Sequence, residues 1–276
     1  MSISVVILTF NSELTVQSTI ACALRVSDDV HVVDSFSTDS TRAIVEALNV
    51  RFVEHEFVDY GAQRNWAIDN LPLKYGWELH LDADEQLSDN LIDQLGKAAG
   101  EGNAAVDGYL IPRYMIFMGR VLRHGAMAPT WHLRLFRRGK GRCESRRYDQ
   151  HFYVAGPTAR LAGAMYDDVR MSLTEWTARH NRWASAEAEE LLEQQTDGRI
   201  APKFFGSAIE RKRFLKKLYL GAPLFSRAFL LFCYHYFLRL GFLDGREGFI
   251  YAVLQTFWFR FLVDAKLYEL KKTRKP

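Results

Sequence analysis

The first 110 residues alternate apolar, β-branched runs with stretches that carry apolar residues at helical spacing. The opening run, ISVVILT at residues 3–9, is typical of a strand buried on both faces of a parallel sheet. The pattern predicts strands at residues 3–9, 29–34, 51–55 and 76–81, and helices at residues 15–24, 41–48, 60–70 and 88–99. Strands that alternate with helices in this way predict an α/β fold with a mostly parallel sheet flanked by helices.

Polar residues stand where three of these predicted strands end. Thr9, Asp34 and Asp82 each follow an apolar run. In an open parallel sheet, ligands bind outside the carboxyl ends of the strands. The three residues therefore predict one ligand-binding crevice at that edge of the sheet.

Charge is divided unevenly along the chain. Residues 203–276 carry 15 Lys and Arg against 5 Asp and Glu, a net charge of +10, whereas residues 1–202 carry a net charge of −7. Residues 203–276 also hold 18 of the 37 Phe, Trp and Tyr residues. A basic, aromatic segment after an acidic body indicates two parts with different partners. We therefore expect a domain at residues 1–200 and a helical tail at residues 201–276.

The composition of the tail predicts contact with an anionic membrane surface. Its longest uncharged stretches, residues 228–238 and 248–259, have 11 and 12 residues, whereas a helix needs about 20 to span a bilayer. Lys and Arg beside Phe, Trp and Leu are typical of helices that lie in the membrane interface. The alternative is a helical subdomain packed on the sheet. No nucleic-acid-binding motif accompanies the basic charge, so we expect no nucleic acid partner.

The three cysteines, Cys22, Cys143 and Cys233, fit neither a disulfide framework nor a metal-binding spacing. They favour a reducing compartment. The N-terminus lacks a basic n-region and a small-residue cleavage site, so we expect no signal peptide. Together with the tail, these features predict a cytoplasmic protein, peripheral on the inner face of the cell membrane.

The stretch WELHLDADE at residues 77–85 places three carboxylates within four residues at a strand end. Carboxylates this close repel one another unless a cation or hydrogen bonds compensate. Oxygen ligands suit Mg²⁺ or Mn²⁺, which take one or two protein carboxylates together with substrate phosphates. Asp82 and Asp84 therefore indicate a metal–diphosphate site. The alternative is that these residues stabilise the N-terminus of the following helix.

Four successive motifs carry a resemblance to a known family: SVVILTFN (4–11), VVDSFSTDST (32–41), AQRNWA (62–67) and HLDADE (80–85). In order and spacing they resemble the signatures of family 2 glycosyltransferases with the GT-A fold. RLFRR (134–138), YDQHF (148–152) and GFLDGREGF (241–249) are similar to enzymes that add sugars to lipopolysaccharide cores or lipid-linked surface glycans. The resemblance implies a metal-dependent, inverting transfer from a nucleotide-sugar donor to a lipid-linked or lipopolysaccharide-type glycan acceptor.

The resemblance also implies which residues bind the nucleotide. Thr9 and Asn11 would line the nucleotide pocket, with Glu13 a weaker candidate, and Asp34 would stand near the base or ribose. The commoner family pattern has a second acidic residue after Asp34, whereas serine and phenylalanine follow it here. This departure weakens any assignment of a uridine nucleotide.

At the diphosphate, the resemblance implies three further residues. Arg64 would pair with phosphate oxygens, for which its planar guanidinium is suited. Asp82 would contact the ribose or an ordered water. Asp84 would bind the metal, Mg²⁺ or Mn²⁺.

An inverting transfer needs a base to take the proton of the attacking acceptor hydroxyl. The resemblance places this base after the D-x-D motif, and Asp149 in RYDQHF is the predicted catalytic residue, with Glu144 second. A basic neighbourhood would keep Asp149 ionised, although a salt bridge to a neighbouring arginine is an alternative role. His132 and His151 are further candidates for metal or diphosphate contacts.

Two other functions use similar residues. A sugar nucleotidyltransferase shares the sheet-end geometry and the metal carboxylates, but usually carries a Gly-rich, basic loop after the first strand. FNSELTVQ at residues 10–17 has neither glycine nor lysine. A non-catalytic membrane scaffold with a degenerate GT-A fold is the second alternative. The presence of Arg64, Asp82 and Asp84 argues against it.

Overall fold

The computed structural model describes residues 2–100, 105–127, 129–144, 150–193 and 218–273. The chain forms two compact units. The first comprises residues 1–121 and 129–170, and the second comprises residues 122–128 and 171–276. The predicted domain boundary at residue 200 lies outside the described residues and stays a prediction.

The first unit is built on a mixed β-sheet. Its strands are β1 (Ile3–Thr9), β2 (Val30–Asp34), β3 (Arg51–Glu54), β4 (Trp77–Asp82), β5 (Glu85–Leu87), β6 (Gly108–Phe117), β7 (Arg120–Leu122), β8 (Thr130–Arg137), β9 (Gly141–Cys143), β10 (Phe152–Val154), β11 (Thr158–Arg160) and β12 (Met165–Val169). The main sheet has the order β3-β2-β1-β4-β8-β6-β12-β5, and β9 pairs separately with β10. Strands β1 to β4 are parallel, whereas β8 runs antiparallel to both β4 and β6.

Helices cover both faces of the parallel half of the sheet. They are α1 (Val16–Val26), α2 (Thr41–Ala47), α3 (Tyr60–Asn70) and α4 (Asp89–Gly100). All seven residues of β1 are buried, as its β-branched sequence predicts. Ile7 belongs to the same buried cluster as Ile20 of α1, whereas Val6 belongs to a second cluster with Ala67 of α3. The sheet is therefore fixed from both sides, and its carboxyl edge is left for ligands.

The second unit is mainly helical in its described residues. It contains α5 (Leu173–Glu193), α6 (Ser226–Cys233), a π-helical stretch (Tyr234–Leu238), a 3₁₀ turn (Gly241–Asp244), α7 (Gly245–Tyr251), a second π-helical stretch (Ala252–Trp258) and α8 (Phe259–Thr273). Arg227 and Asp264 form a fully buried ion pair between α6 and α8. The predicted helical character of the C-terminal region is confirmed. Nowhere in the described ranges does a helix combine the length and the hydropathy that crossing a bilayer requires.

Candidate active site

The carboxyl ends of β1, β2 and β4 bring three of the predicted residues to one edge of the sheet. Thr9, Asp34 and Asp82 are the last residues of their strands. Thr9 lies opposite Asp34, and the neighbouring Leu8 lies opposite Asp82. The order β3-β2-β1-β4 places β1 between the other two strands. The three polar groups therefore form a row along the edge where open α/β sheets bind their ligands.

Asp34 is buried and fully engaged in hydrogen bonds. Its Oδ1 accepts from Thr9 Oγ1 at 2.7 Å and from Ser37 Oγ at 2.6 Å, and its Oδ2 accepts from the backbone N–H of Ser37 at 2.6 Å. These bonds turn the chain sharply after β2 and hold the Thr9 hydroxyl in one position. In this structure, Asp34 therefore fixes the conformation of the chain at the end of β2.

Asn11 joins the loop after β1 to the loop after β2. Its side-chain oxygen accepts from the backbone N–H of Thr38 at 2.8 Å, while its own N–H donates to Ser37 Oγ at 2.8 Å. Glu13 makes a similar link, because its carboxylate accepts from the backbone N–H of Ser40 at 3.0 Å. The two loops therefore form one connected rim beside the row of strand ends.

The D-x-D motif forms a tight turn between two strands. Strand β4 ends at Asp82, and β5 begins at Glu85, whose carboxylate accepts from the backbone N–H of Asp82 at 2.9 Å. Strand β5 then pairs antiparallel with β12, and the backbone N–H of Asp168 donates to the carbonyl of Asp84 at 2.9 Å. This turn holds the Asp84 carboxylate at the carboxyl edge of the sheet.

Two arginines neutralise Asp82. Arg64 of α3 is 4% exposed and pairs with Asp82 Oδ1, and Arg134 of β8 reaches Asp82 Oδ2 at 2.6 Å. Burial by itself would raise the pKa of Asp82, but Arg134 and Arg64 outweigh it and hold that pKa well below its ordinary value. Arg134 thus contacts acidic side chains from its strand. Arg64, predicted to meet the diphosphate, lies in this structure against Asp82.

Asp84 has no such partner. Among the described residues, no side chain donates a hydrogen bond to its carboxylate and no Lys or Arg forms an ion pair with it, although it is half-buried. Burial raises the pKa of Asp84 well above its ordinary value, and the carboxylates of Asp167, Asp82 and Glu85 raise it further. In the described part of the chain, no positive charge therefore compensates Asp84.

These donor atoms fit a cation that arrives with a phosphate ligand. Across the described ranges, no three His, Cys, Asp or Glu side chains converge to enclose a metal. Mg²⁺ does not need such a cage, since it is usually held by one or two carboxylates and by substrate oxygens. Asp84 offers one half-buried carboxylate of this kind.

The predicted base Asp149 falls at a position outside the described residues, so its role stays a prediction. Glu144, the second candidate, is described: its Oε2 accepts from the backbone N–H of His151 at 3.2 Å. The rings of His151 and His132 lie edge to face with their centres 6.2 Å apart. Burial, together with Arg113, Arg134 and His151, lowers the pKa of His132 to about 2, so its imidazole is neutral.

Sequence reasoning missed Glu85 and Arg113. Glu85 is fully buried, 2.5 Å from Arg134 and 3.9 Å from Arg113, which also lies 3.4 Å from Asp167. Glu85 thereby fixes the arginine that neutralises Asp82. The density of carboxylates in LDADE was the available signal, since it implies more than one compensating cation.

Comparison with known proteins identifies several similar proteins. Residues 4–161 match the family Glycosyl transferase family 2. The lipopolysaccharide core biosynthesis glycosyltransferase LpsC of Rhizobium meliloti (strain 1021) is 25% identical over 253 residues, which is 87% of this chain and 83% of LpsC. An uncharacterized glycosyltransferase of Rickettsia bellii (strain RML369-C) is 37% identical over 93 residues, 34% of this chain. That alignment spans 31% of the Rickettsia protein, so the chain matches about a third of its length.

Two crystal structures are similar at low TM-scores. S. aureus TarS 1–349 has a TM-score of 0.45 at 14% identity, over 99% of this chain and 92% of that chain. Glucosyl-3-phosphoglycerate synthase from Mycobacterium tuberculosis, in complex with Mn²⁺ and uridine-diphosphate-glucose, has a TM-score of 0.34 at 20% identity, over 41% of this chain and 43% of that chain. Both scores are too low to assign a ligand or a function.

Proposed function

The chain belongs to glycosyl transferase family 2, and on this premise we propose that it is a metal-dependent, inverting glycosyltransferase. Its donor is a nucleotide sugar, and its acceptor is a lipid-linked or lipopolysaccharide-type glycan at the cytoplasmic face of the membrane. The predicted family and GT-A fold are confirmed. LpsC supports the choice of acceptor class, because its similarity extends over most of both chains.

The observation that carries the proposal is the carboxylate of Asp84, which has no ion-pair partner among the residues that the structure describes. Asp82 and Glu85 are each paired with arginine, whereas no arginine in the described ranges pairs with Asp84, so this carboxylate is left for a ligand. Asp84 would hold Mg²⁺ or Mn²⁺ together with the donor diphosphate. A divalent cation bound there supplies stabilisation of the negative charge that develops on the departing nucleoside diphosphate.

The protein's own residues complete the reaction. Arg64 and Arg134 keep Asp82 ionised and oriented, so that its carboxylate can accept a hydrogen bond from the ribose or from an ordered water. The proposed base is Asp149, which takes the proton of the acceptor hydroxyl as that oxygen attacks the anomeric carbon. Attack from the face opposite the leaving diphosphate inverts the anomeric configuration.

Nucleobase recognition is proposed to depend on an aromatic ring. At the position of the family's second acidic residue, Ser35 accepts a hydrogen bond from Gln63 Nε2 at 3.3 Å. The next residue, Phe36, has φ = +59° and is half-exposed at the carboxyl end of β2. Its ring is available to stack on a base of any identity. We therefore expect weak discrimination between nucleobases.

Nucleotide binding measured by calorimetry tests this proposal. UDP, GDP, ADP and CMP are titrated with and without Mn²⁺ into the wild type, Asp84→Asn and Asp93→Asn. Asp93 is an exposed carboxylate on α4, so its variant removes the same charge elsewhere. Because outer-shell changes alone weaken metal binding about 10–100-fold, we expect Asp84→Asn to weaken Mn²⁺-dependent nucleotide binding at least about tenfold, and Asp93→Asn to leave it unchanged.

The other outcomes separate the alternatives. Equal binding by all three proteins would contradict the role of Asp84. Preference for a nucleoside triphosphate, added as a further titrant, would favour the nucleotidyltransferase. Absence of binding to every nucleotide would favour the scaffold, with the carboxylates serving only the turn between β4 and β5.

A further inference from the structure

The second unit exposes a concentrated apolar surface within residues 234–249. Six large side chains in this segment are between 45% and 76% exposed. We call them the aromatic wedge: Phe237, Leu238, Leu240, Phe242, Leu243 and Phe249. Isolated exposed apolar residues are common on soluble proteins, whereas a contiguous group marks a contact surface.

The rings of the aromatic wedge share one support. Phe237, Phe242 and Phe249 all pack around Tyr236, with ring centres 5.1, 6.3 and 5.5 Å from it. Tyr236 in turn stacks on Phe232 of α6, 5.3 Å away. The three exposed rings therefore belong to one surface, since they pack on a common aromatic layer.

Asp244 fixes the backbone that carries the aromatic wedge. It is buried, and its carboxylate accepts from the backbone N–H groups of Arg123 and His124 at 3.0 and 2.8 Å and from His124 Nδ1 at 2.8 Å. The backbone N–H of Gly125 donates to the carbonyl of Arg239 at 2.9 Å. Leu240 is held at φ = +59°, a conformation that costs a non-glycine residue free energy. The leucine and phenylalanine side chains are thus kept outward by a rigid support.

The two most exposed charged side chains around the aromatic wedge are both arginines. Arg239 and Arg246 are exposed within it. Between residues 218 and 263 the sequence has two acidic residues, Asp244 and Glu247; the first is buried on His124 and the second is half-buried. An apolar surface whose most exposed charges are arginines is complementary to anionic lipid headgroups above acyl chains.

We propose that the aromatic wedge inserts into the interface of an anionic membrane, with Arg239 and Arg246 on lipid phosphates. This inference rests on the proposed membrane-borne acceptor and specifies the residues that enter the lipid. The occupant is a lipid surface, and not a nucleic acid or an acidic protein, because few of the exposed side chains are charged and most are apolar. Insertion to headgroup depth needs no spanning helix.

Vesicle flotation of the full chain tests the proposal. The vesicles are phosphatidylcholine alone or with phosphatidylglycerol, and the proteins are wild type, Leu238→Glu, Val58→Glu and Arg239→Gln. Val58 lies in the first unit and is 75% exposed against 76% for Leu238, so it is a matched control. Because burying one leucine changes a partition coefficient about tenfold or more, we expect that loss for Leu238→Glu and none for Val58→Glu. Arg239→Gln should weaken binding about fivefold on anionic vesicles only.

Three results would overturn the proposal. The first is recovery of wild type in the lipid-free fraction, and the second is equal flotation of Leu238→Glu and Val58→Glu. The third result is measured by light scattering in lipid-free buffer. If wild type is a dimer that does not bind lipid, and Leu238→Glu is a monomer, the surface binds a second copy of the chain. Nucleotide binding is measured in the absence of lipid, so that failure of this proposal can be distinguished from failure of the proposed donor site. A protein that binds nucleotide but does not float would contradict only the membrane role of the aromatic wedge. A protein that floats but does not bind nucleotide would contradict only the donor site.

Discussion

At the residue scale, the buried carboxylates differ in what faces them. Asp264 forms an ion pair with Arg227, and Glu85 forms one with Arg134. Glu78 of β4 is also fully buried, but its Oε2 lies 3.4 Å from the imidazole of His80, which burial keeps neutral by lowering its pKa well below the ordinary value. A buried carboxylate that faces a neutral group is favoured in its protonated form.

The consequence is a pH-dependent contribution of Glu78 to stability. Burial raises the pKa of Glu78 from 4.5 to about 7; Arg138 and Arg142 oppose the shift, and Asp69 adds to it. The folded state therefore binds this proton more tightly than the unfolded state. The resulting stabilisation is complete below pH 4.5 and is lost as the pH rises through 7. It amounts to about 3 kcal/mol at full extent.

Glu78→Gln is expected to remove this dependence, because its amide stays neutral. The urea midpoint of wild type should fall relative to that of the variant between pH 5 and pH 8, and at pH 8 the variant should be the more stable protein. Urea unfolding of both proteins at pH 5, 6, 7 and 8 measures the difference. His80 is neutral in the folded protein but titrates in the unfolded chain, so it adds the same pH dependence to both proteins and cancels in their difference. Parallel pH profiles would contradict the assignment.

The positions of several candidate site residues could be predicted from the sequence, but their partners could not. Thr9, Asp34 and Asp82 follow apolar runs, and a run that ends in a polar residue can be recognised from neighbouring residues in the sequence. The pairing of Asp82 with Arg134 joins residues 52 apart in the chain. It depends on β8 lying antiparallel beside β4, which the local pattern does not encode.

At the element scale, the strands and helices of the alternating N-terminal pattern were predictable, including the four-residue β3, whereas β5 was not. The predicted strand at residues 3–9 has the bounds of β1, and the predicted helix at residues 60–70 has those of α3. Strand β5 has three residues, too few to show a period of two. It exists because β12 pairs with it, about 80 residues later in the chain.

The close packing of α3 against β9 predicts that replacing glycine by alanine has opposite effects on stability in α3 and in α4. Asn65 and Cys143 exchange two hydrogen bonds of 2.9 Å, which bring helix and strand close together. A Cβ on Gly61 would overlap the backbone carbonyl oxygen of Glu144, whereas one on Gly96 of α4 would meet no atom within 4 Å. Alanine therefore has a different cost at the two positions.

Gly61→Ala is expected to destabilise the first unit by about 1–3 kcal/mol, the usual cost of overpacking. Gly96→Ala is expected to stabilise it by about 0.5–1 kcal/mol, because alanine restricts the unfolded chain and favours helix. Thermal unfolding of wild type and both variants compares the two effects. If both variants were stabilised, the close approach of α3 to residue 144 would be wrong.

At the scale of the whole molecule, charge and apolar surface are expected to act at different distances. Residues 203–276 carry a net charge of +10, and residues 1–202 carry −7. Attraction of the basic segment to anionic lipid is screened by salt, since the Debye length falls from about 10 Å at 0.1 M to about 3 Å at 1 M. Burial of the aromatic wedge in lipid is not screened.

Raising the NaCl concentration from about 0.1 M to about 1 M should therefore separate the two contributions. Binding of wild type to phosphatidylglycerol-containing vesicles is expected to fall but to persist, because the buried leucine and phenylalanine side chains still hold the protein. Leu238→Glu is expected to lose its remaining binding at high salt. Flotation at both salt concentrations measures this. If wild type and variant both dissociated completely at 1 M, binding would be electrostatic alone; if neither responded to salt, the basic segment would have no part in it.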